Sequence, residues 1–270
     1  ISSDSGNTWA LGTTPSPSVN WHGIAMSANG VNQVASRRGS DLYVSNDSGN
    51  TWTATETQVT HQRWWTGVDI DELGTTYAAC LEHGTIYESL NSGLGWSTML
   101  NNNNWYSTAM SSDGTKQTSV VNGGQIYLSC DSGLSWSAKA SNRNWVGIAM
   151  SEDGVKQTAV SNPGNIYVSL DSGNTWSSKD SNRNWKAIAI SSDGVKQTAV
   201  SNPGNIYVSS DSGNTWNSKD ENRNWNAITM SSDGVNQSAV VENGLIYIST
   251  DSGNTWSTAT NTNRNWQSIA

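Results

Sequence analysis

Short runs in which apolar and small residues alternate with polar ones recur along the whole chain, and Gly, Pro, Asn and Asp separate them. In residues 145–184 the first run ends at Glu152-Asp-Gly154, the second at Asn162-Pro-Gly-Asn165 and the third at Asp171-Ser-Gly-Asn174. Each of these three segments has the composition of a tight turn. No run of ten or more residues has helical spacing, so the pattern predicts four short antiparallel strands in forty residues.

This forty-residue pattern is an internal repeat. A turn followed by tryptophan occurs seven times, ending at Trp9, Trp52, Trp96, Trp136, Trp176, Trp216 and Trp256. A tryptophan that opens the first strand also occurs seven times, at Trp21, Trp65, Trp105, Trp145, Trp185, Trp225 and Trp266. One such unit cannot bury its own apolar face, so neighbouring units must pack together. Four strands per unit predict an all-β fold, a β-propeller of four-stranded antiparallel blades, with residues 1–270 as a single domain.

The two tryptophan counts predict seven blades, with the last blade shared between the termini. The chain opens at the end of a third strand, Ile1-Ser-Ser, and stops within a first strand, Trp266-Gln-Ser-Ile-Ala270. The two middle strands of the shared blade therefore have no residues. Either the chain is a fragment of a longer protein, or the seventh blade exposes unpaired strand edges. The start at Ile1 rather than Met favours the fragment.

Composition narrows the functional classes. The net charge of −8 disfavours nucleic acid and anionic membranes as partners. No apolar stretch reaches the ~20 residues of a membrane span. His22, His61 and His83 lie at unrelated offsets, so no metal site and no cofactor is predicted. Cys80 and Cys130 also occupy different offsets, which argues against a disulfide between them. Asn46 and Asn236 begin triplets that fit N-glycosylation acceptors.

The motif Ser-x-Asp-x-Gly-x-Thr-Trp, seen at residues 169–176, resembles the Asp-box, or bacterial neuraminidase repeat, of sialidase-like propellers. In style the chain is closest to non-enzymatic members such as the photosystem II assembly-factor and sortilin-type propellers. The resemblance implies a structural turn on the face away from any ligand. The seven turn positions are Asp4, Asp47, Asn91, Asp131, Asp171, Asp211 and Asp251. The physical chemistry agrees, because Asp can accept from backbone N–H groups two residues on and Gly supplies a positive φ.

The residues argue against catalysis. The chain has seven arginines, and five of them lie just before a first-strand tryptophan, so they are distributed among the repeats instead of converging on one substrate carboxylate. The Phe-Arg-Ile-Pro element of catalytic sialidases is absent because the chain has no Phe. Tyrosines recur at one third-strand offset, which is typical of packing. We therefore expect no enzymatic activity.

The candidate ligand site is the linker between repeats, whose sequence Asn-Arg-Asn-Trp recurs. Asn amides, an Arg fork and an indole offer the donors, acceptors and apolar surface of a sugar-binding pocket. The site residues are Asn142, Arg143, Asn144, Trp145, Asn182, Arg183, Asn184, Trp185, Asn222, Arg223, Asn224, Trp225, Arg264 and Trp266. The alternative is structural: Asn satisfies turn backbone, Arg stacks on Trp, and Trp is core.

Three functions follow. The first is a lectin-like carbohydrate-binding propeller that uses these linkers, with a glycan as partner. The second is a protein-interaction or assembly scaffold, whose arginines dock an acidic protein partner. The third, ranked last, is a sialidase-like glycoside hydrolase. For each of them we expect a secreted or otherwise non-cytosolic location.

Overall fold

The computed structural model describes residues 21–55, 64–259 and 262–270, and the regular secondary structure of these residues is β-strand. The strands are β1 (Trp21–Met26), β2 (Gln33–Arg37), β3 (Leu42–Ser45), β4 (Thr53–Ala54), β5 (Trp65–Ile70), β6 (Tyr77–Leu81), β7 (Gly84–Ser89), β8 (Ser97–Asn103), β9 (Trp105–Met110), β10 (Gln117–Ser129), β11 (Ser137–Met150), β12 (Gln157–Ser161), β13 (Gly164–Ser169), β14 (Ser177–Arg183), β15 (Trp185–Ile190), β16 (Gln197–Ser201), β17 (Gly204–Ser209), β18 (Asn217–Arg223), β19 (Trp225–Met230), β20 (Gln237–Val241), β21 (Ile246–Ser249) and β22 (Ser257–Thr258).

These strands form five antiparallel sheets. Four sheets have four strands in sequence order, namely β1 to β4, β5 to β8, β15 to β18 and β19 to β22. The fifth has six strands in the order β14-β13-β12-β11-β10-β9. The prediction of all-β, four-stranded antiparallel blades is confirmed. The prediction of seven blades is wrong, because the strands pair into five blades.

Long strands explain part of this miscount. In the fourth repeat the second and third strands are separate, as β12 and β13, whereas β10 runs through both of the equivalent segments. In the same way, β11 continues from the last strand of one repeat into the first strand of the next. Repeats three and four therefore share one sheet.

The predicted shared blade is wrong as well. Its C-terminal part, Trp266 to Ala270, forms no strand, and the ladder contact just before it is a single bridge between Gly244 and Arg264. Its N-terminal part, including the first turn and Trp9, lies outside the described residues. Counting tryptophans overcounted blades, because a tryptophan marks the position of a strand without supplying its hydrogen-bonded neighbours.

The described chain divides into two compact units, one ending at Arg143 and the other beginning at Asn144. Within both units the core repeats one aromatic pair. The first-strand tryptophan meets the third-strand tyrosine of its own repeat edge to face, with ring centroids 5.0 Å apart for Trp185 and Tyr207. Trp65, Trp105, Trp145, Trp185 and Trp225 have no exposed surface. Edge-to-face pairs of this kind add about 0.5–1.5 kcal/mol beyond the burial of their area.

Each sheet has two chemically different ends. The turn end carries the turns between first and second strands and between third and fourth strands. In the fourth repeat these two turns are joined by a hydrogen bond of 2.9 Å from Ser172 N–H to Val155 O. The linker end carries the turns between second and third strands and the connections between repeats. There Arg183 lies directly opposite Gly164, at the start of β13.

Candidate functional site

At the turn end, one network of side chains holds each turn between third and fourth strands. Ser169 Oγ accepts from Gly173 N–H at 2.9 Å and donates to Asp171 Oδ1 at 2.8 Å. Asp171 also accepts from Thr175, at 2.8 Å from its N–H and 2.6 Å from its hydroxyl. The hydroxyl of Thr175 is the main cause that lowers the pKa of Asp171 below its usual value. The carboxylate is thus occupied in holding the turn.

The other described turn positions repeat this arrangement with local changes. Asp47, Asp131, Asp211 and Asp251 each accept from the Thr or Ser four residues on. At Asn91 the amide oxygen accepts from Gly95 N–H at 2.8 Å, but Gly95 has no hydroxyl to add a second bond. Asp4 lies outside the described residues.

At the linker end, a bulge in the outermost strand of the sheet places Arg183, and a second one places Arg223. Between Ile166, which pairs with Lys179, and Gly164, which pairs with Arg183, β14 has two more residues than β13. Asp180 absorbs the mismatch with φ of 49°, in the left-handed region. The same bulge recurs in β18, where Asp220 has φ of 53°. Bulges and left-handed non-glycine residues concentrate where a fold re-aims a side chain.

The bulge sets Arg183 against both an acid and an aromatic ring. Its guanidinium carbon lies 4.3 Å from the centroid of Tyr207 and 5.8 Å from that of Trp185. Its Nε lies 3.5 Å from Asp180 Oδ2, an ion pair, and has no hydrogen-bond acceptor. The side chain is 32% exposed. Nη2 also donates to Ser181 Oγ at 3.1 Å, so the exposed part of the guanidinium leaves the remaining terminal N–H groups for a further carboxylate.

Arg223 repeats this environment one repeat later. Its guanidinium carbon lies 4.6 Å from the Tyr247 centroid, and it forms ion pairs with Asp220 at 3.6 Å and Glu221 at 3.3 Å. Its side chain is 27% exposed. The arginine is thus presented in the same way in two successive repeats. In the preceding repeat, Ala140 holds the position of Asp180 and also has a positive φ, of 56°.

The other predicted linker residues divide into exposed amides and buried indoles. Asn142, Arg143, Asn144, Asn182, Asn184, Asn222 and Asn224 are exposed, and so is Arg264. The indoles of Trp145, Trp185 and Trp225 are completely buried, whereas Trp266 is half-buried and donates to Gly244 O at 3.1 Å. The structure thus brings Arg183 and Arg223 together with Trp and Tyr, but the first-strand indoles have no face left for a ligand. Whether these residues bind anything stays a prediction.

Sequence reasoning missed three titratable side chains within the second repeat, of which Cys80 and Glu88 are buried and Asp69 is half-buried. Asp69 Oδ2 accepts from Met110 N–H at 2.7 Å, and burial raises the pKa of Asp69 to about 7. Cys80 has no exposed surface, and burial raises the pKa of its thiol to about 12. Glu88 is 2% exposed, and burial again raises its pKa. The signal was available, because the other described repeats have Ala or Thr at the position of Asp69 and Val, Leu or Ile at that of Glu88.

The described residues also bear on metals, thiols and membranes. Within residues 21–55, 64–259 and 262–270, no group of three or more His, Cys, Asp or Glu side chains could hold a metal ion. Cys80 and Cys130 are both free thiols. Among the residues described, no helix has the length and hydropathy that a bilayer crossing requires.

Comparisons with known proteins give structural matches only. No protein-family model matches the chain, and no curated protein matches it. YCF48 from Cyanidioschyzon merolae superposes with a TM-score of 0.71 at 16% identity, covering 94% of this chain and 88% of that one. YCF48 bound to D1 peptide gives a TM-score of 0.70 at 17% identity, covering 92% and 87%.

Enzymes of one glycoside hydrolase class match as well. The GH74 enzyme of Niastella koreensis gives a TM-score of 0.63 at 21% identity, covering 92% of this chain but 38% of that one. An ancestral GH74 enzyme gives 0.71 at 15%, covering 93% and 39%. At these identities the matches show the fold alone. The chain has the β-propeller fold, of the type that these proteins share.

Proposed function

We propose that this chain is a non-catalytic, protein-binding propeller that docks an acidic polypeptide at its linker end. The support from comparison is that YCF48, similar over most of both chains, has been solved with a bound peptide. The two matches to YCF48 also cover most of the YCF48 chain, whereas each GH74 match covers less than two fifths of the enzyme. A match that extends over nearly the whole of a peptide-binding protein is a better guide to the function of this chain than a match to part of an enzyme.

The observation that carries the proposal is the repeated setting of Arg183 and Arg223. Each is aimed by a bulge and stacked on a tyrosine, and the two side chains are still 32% and 27% exposed. Stacking restricts the guanidinium before a ligand arrives, which reduces the entropy lost on binding. The ion pairs with Asp180 and Asp220, at 3.5 and 3.6 Å, are too long for the paired hydrogen bonds that a peptide carboxylate can make.

Two repeats with the same arginine setting also favour an extended partner. Each arginine alone gives a weak site, because exposed ion pairs contribute only about 0–1 kcal/mol. Two sites on one chain bind a partner that carries two acidic groups with a gain in avidity. We therefore expect a segment with spaced Asp or Glu residues. A carbohydrate ligand has no comparable support, since the first-strand indoles next to these arginines are buried.

Fluorescence polarisation with a labelled acidic peptide, of Glu residues spaced by Gly and Ser, tests this proposal. The variant R183E/R223E should bind at least about tenfold more weakly than the wild type. The matched control is K156E/K196E, which changes the net charge equally but at the turn end, where both lysines donate to turn carbonyls. An equal loss in both variants would show a general field effect, and it would refute a site at the linker end. Absence of wild-type binding would refute it too.

A further inference from the structure

Four leucines of the unit that ends at Arg143 are strongly exposed at the turn end. Leu73 is 72% exposed, Leu90 59%, Leu94 82% and Leu134 74%. We call these four residues the leucine surface. Most equivalent positions in other repeats are polar: Asn29 and Asp153 correspond to Leu73, Ser210 and Thr250 to Leu90, and Asn50, Asn174, Asn214 and Asn254 to both Leu94 and Leu134. The turn itself therefore does not require leucine.

Backbone hydrogen bonds tie the turns that carry these leucines into one layer. Ser92 N–H donates to Thr75 O at 3.0 Å, which joins the turn of Leu90 and Leu94 to that of Leu73. Glu72 N–H donates to Ser112 O at 3.0 Å, joining the Leu73 turn to the equivalent turn of the third repeat. Ser132 N–H donates to Thr115 O at 3.0 Å and adds the turn of Leu134. The four leucines thus stand on a continuous scaffold.

The local hydrogen bonds also hold the leucine backbone. Leu94 N–H donates to Asn91 O at 3.2 Å, and Leu134 N–H donates to Asp131 O at 3.3 Å. The turns around both leucines are closed by Ser89 and Ser129, whose hydroxyls accept from glycine N–H groups at 2.9 Å. A surface whose backbone is fixed loses little conformational entropy on binding. Several large apolar side chains exposed on turns that are joined in this way are more than the single scattered residues normal for a protein surface, and they favour an interaction site.

The charges on these same turns are negative. Glu72, Asp113 and Asp131 are exposed there, and Lys116 is the one basic residue of turns 71–75, 89–95, 111–116 and 129–135. The hydroxyl of Ser111 is the main cause that lowers the pKa of Asp113 to about 2. The pKa of Asp131 is lowered as well, mainly by the hydroxyl of Ser135. Both carboxylates therefore stay ionised at neutral pH. A partner must therefore offer apolar side chains to the leucines and positive charge to the carboxylates.

We propose that the leucine surface binds a polypeptide segment whose large apolar side chains are flanked by lysine or arginine. Burying leucines supplies affinity, and the carboxylates select a cationic partner and speed its association. This surface consists of turn-end residues of its own unit, shares no residue with the linker-end arginines and prefers the opposite charge. The chain would then connect an acidic partner with a basic, apolar one.

A defined pair of peptides tests this surface. The probe is a fluorescein-labelled amphipathic peptide of leucine and lysine, and its control has the same length and charge with serine in place of leucine. We expect the leucine peptide to bind at least about tenfold more tightly than the serine peptide, because burying one leucine side chain of the peptide strengthens binding by about tenfold or more. Equal binding of the two peptides, or no binding of either, would overturn the proposal.

Variants of the protein locate the binding. L94N/L134N introduces the residue that Asn50, Asn174, Asn214 and Asn254 supply at this position in four other repeats, so the fold should tolerate it. Far-UV circular dichroism and the melting temperature can check this. It should weaken the leucine peptide at least about tenfold, because two leucine contacts are lost. The matched control is W64S, which removes a 48% exposed apolar residue at the linker end without changing charge. If L94N/L134N binds like the wild type, or W64S loses as much, the leucine surface is not the site.

The linker-end arginine site and the leucine surface can be refuted independently of each other. R183E/R223E should leave binding of the leucine and lysine peptide unchanged or slightly stronger, because it adds negative charge elsewhere. L94N/L134N should leave binding of the acidic peptide unchanged. A loss of both activities in either variant, with the melting temperature preserved, would contradict the existence of two surfaces.

Discussion

The buried carboxyl of Asp69 makes the stability of this protein depend on pH in an unusual direction. Burial raises its pKa from 3.8 to about 7, with a smaller contribution from the charge of Asp71, although two backbone N–H groups oppose the shift. An acid whose folded pKa is raised holds its proton in the folded state at a pH where the unfolded chain has lost it. Unfolding then releases a proton, so stability falls as the pH rises from about 4 to about 7.

The shift sets an upper limit on the effect. Roughly three pKa units at about 1.4 kcal/mol each give about 4 kcal/mol by which the ionised carboxylate destabilises the fold above pH 7. Asp69 keeps a small exposed surface, so solvent screening reduces this value. D69N should remove the titration while its amide oxygen still accepts from Met110 N–H. We therefore expect D69N to lie within about 1 kcal/mol of the wild type near pH 4.5 and to be more stable by up to about 4 kcal/mol at pH 8.

Urea unfolding at pH 4.5, 6 and 8, with the m value checked at each pH, measures this difference. D69A is the control, because alanine occurs here in four other repeats but cannot accept from Met110 N–H. It should show the same flattened pH profile as D69N, displaced to lower stability by about 1–3 kcal/mol for the unsatisfied donor. Parallel profiles for D69N and wild type would refute the view that this carboxylate is strained by burial.

Three further predictions concern the repeat itself and the thiols. S169A should cost about 1–3 kcal/mol of unfolding free energy in urea, since it leaves the buried Gly173 N–H without its acceptor, and an unchanged midpoint would contradict the turn network. G173A should cost about 1–3 kcal/mol in the same assay, because Gly173 has φ of +80° and a Cβ there would meet Gln157 Oε1 at 2.8 Å. In native protein at pH 8, a thiol reagent should label the exposed Cys130 and spare Cys80, whose buried thiol has a pKa of about 12, so two equivalents of fast labelling would show that the second repeat opens.

The strands were predictable to the extent that turn chemistry marks their ends. The pattern in residues 145–184 predicts turns at 152–154, 162–165 and 171–174. Strand β12 lies between the first two turns, whereas β13 begins at Gly164, inside the second predicted turn. The pattern after the turn at 171–174 predicts a fourth strand over residues 175–179, whereas the observed strand β14 begins at Ser177 and extends to Arg183. Its last residues, Asp-Ser-Asn-Arg, have the composition of a turn. They pair nonetheless because the bulge at Asp180 returns the strand to register with β13.

The blade count and the candidate site depended on contacts that no local pattern reports. Tryptophan spacing cannot show whether a connection breaks a strand, as between β14 and β15, or continues it, as in β11. The arginine positions were readable, but the stacking of Arg183 on Tyr207 and its pairing with Asp180 come from the bulge geometry. Because Trp185 is buried, only the Asn and Arg side chains of the Asn-Arg-Asn-Trp linker can contact a partner.

Internal repeats also offer a way to separate scaffold from function inside one chain. Positions that are the same in every repeat, such as the serine of the turn network or the first-strand tryptophan, are explained by contacts that each blade needs. Departures have no such explanation. Leu94 replaces asparagine in an exposed turn, and Glu88 replaces an apolar residue in the core, each at a cost in solubility or stability. Because Leu94 and Glu88 both lie in the second repeat, that blade is where this propeller differs most from a regular scaffold, and its turn end is the surface to test first.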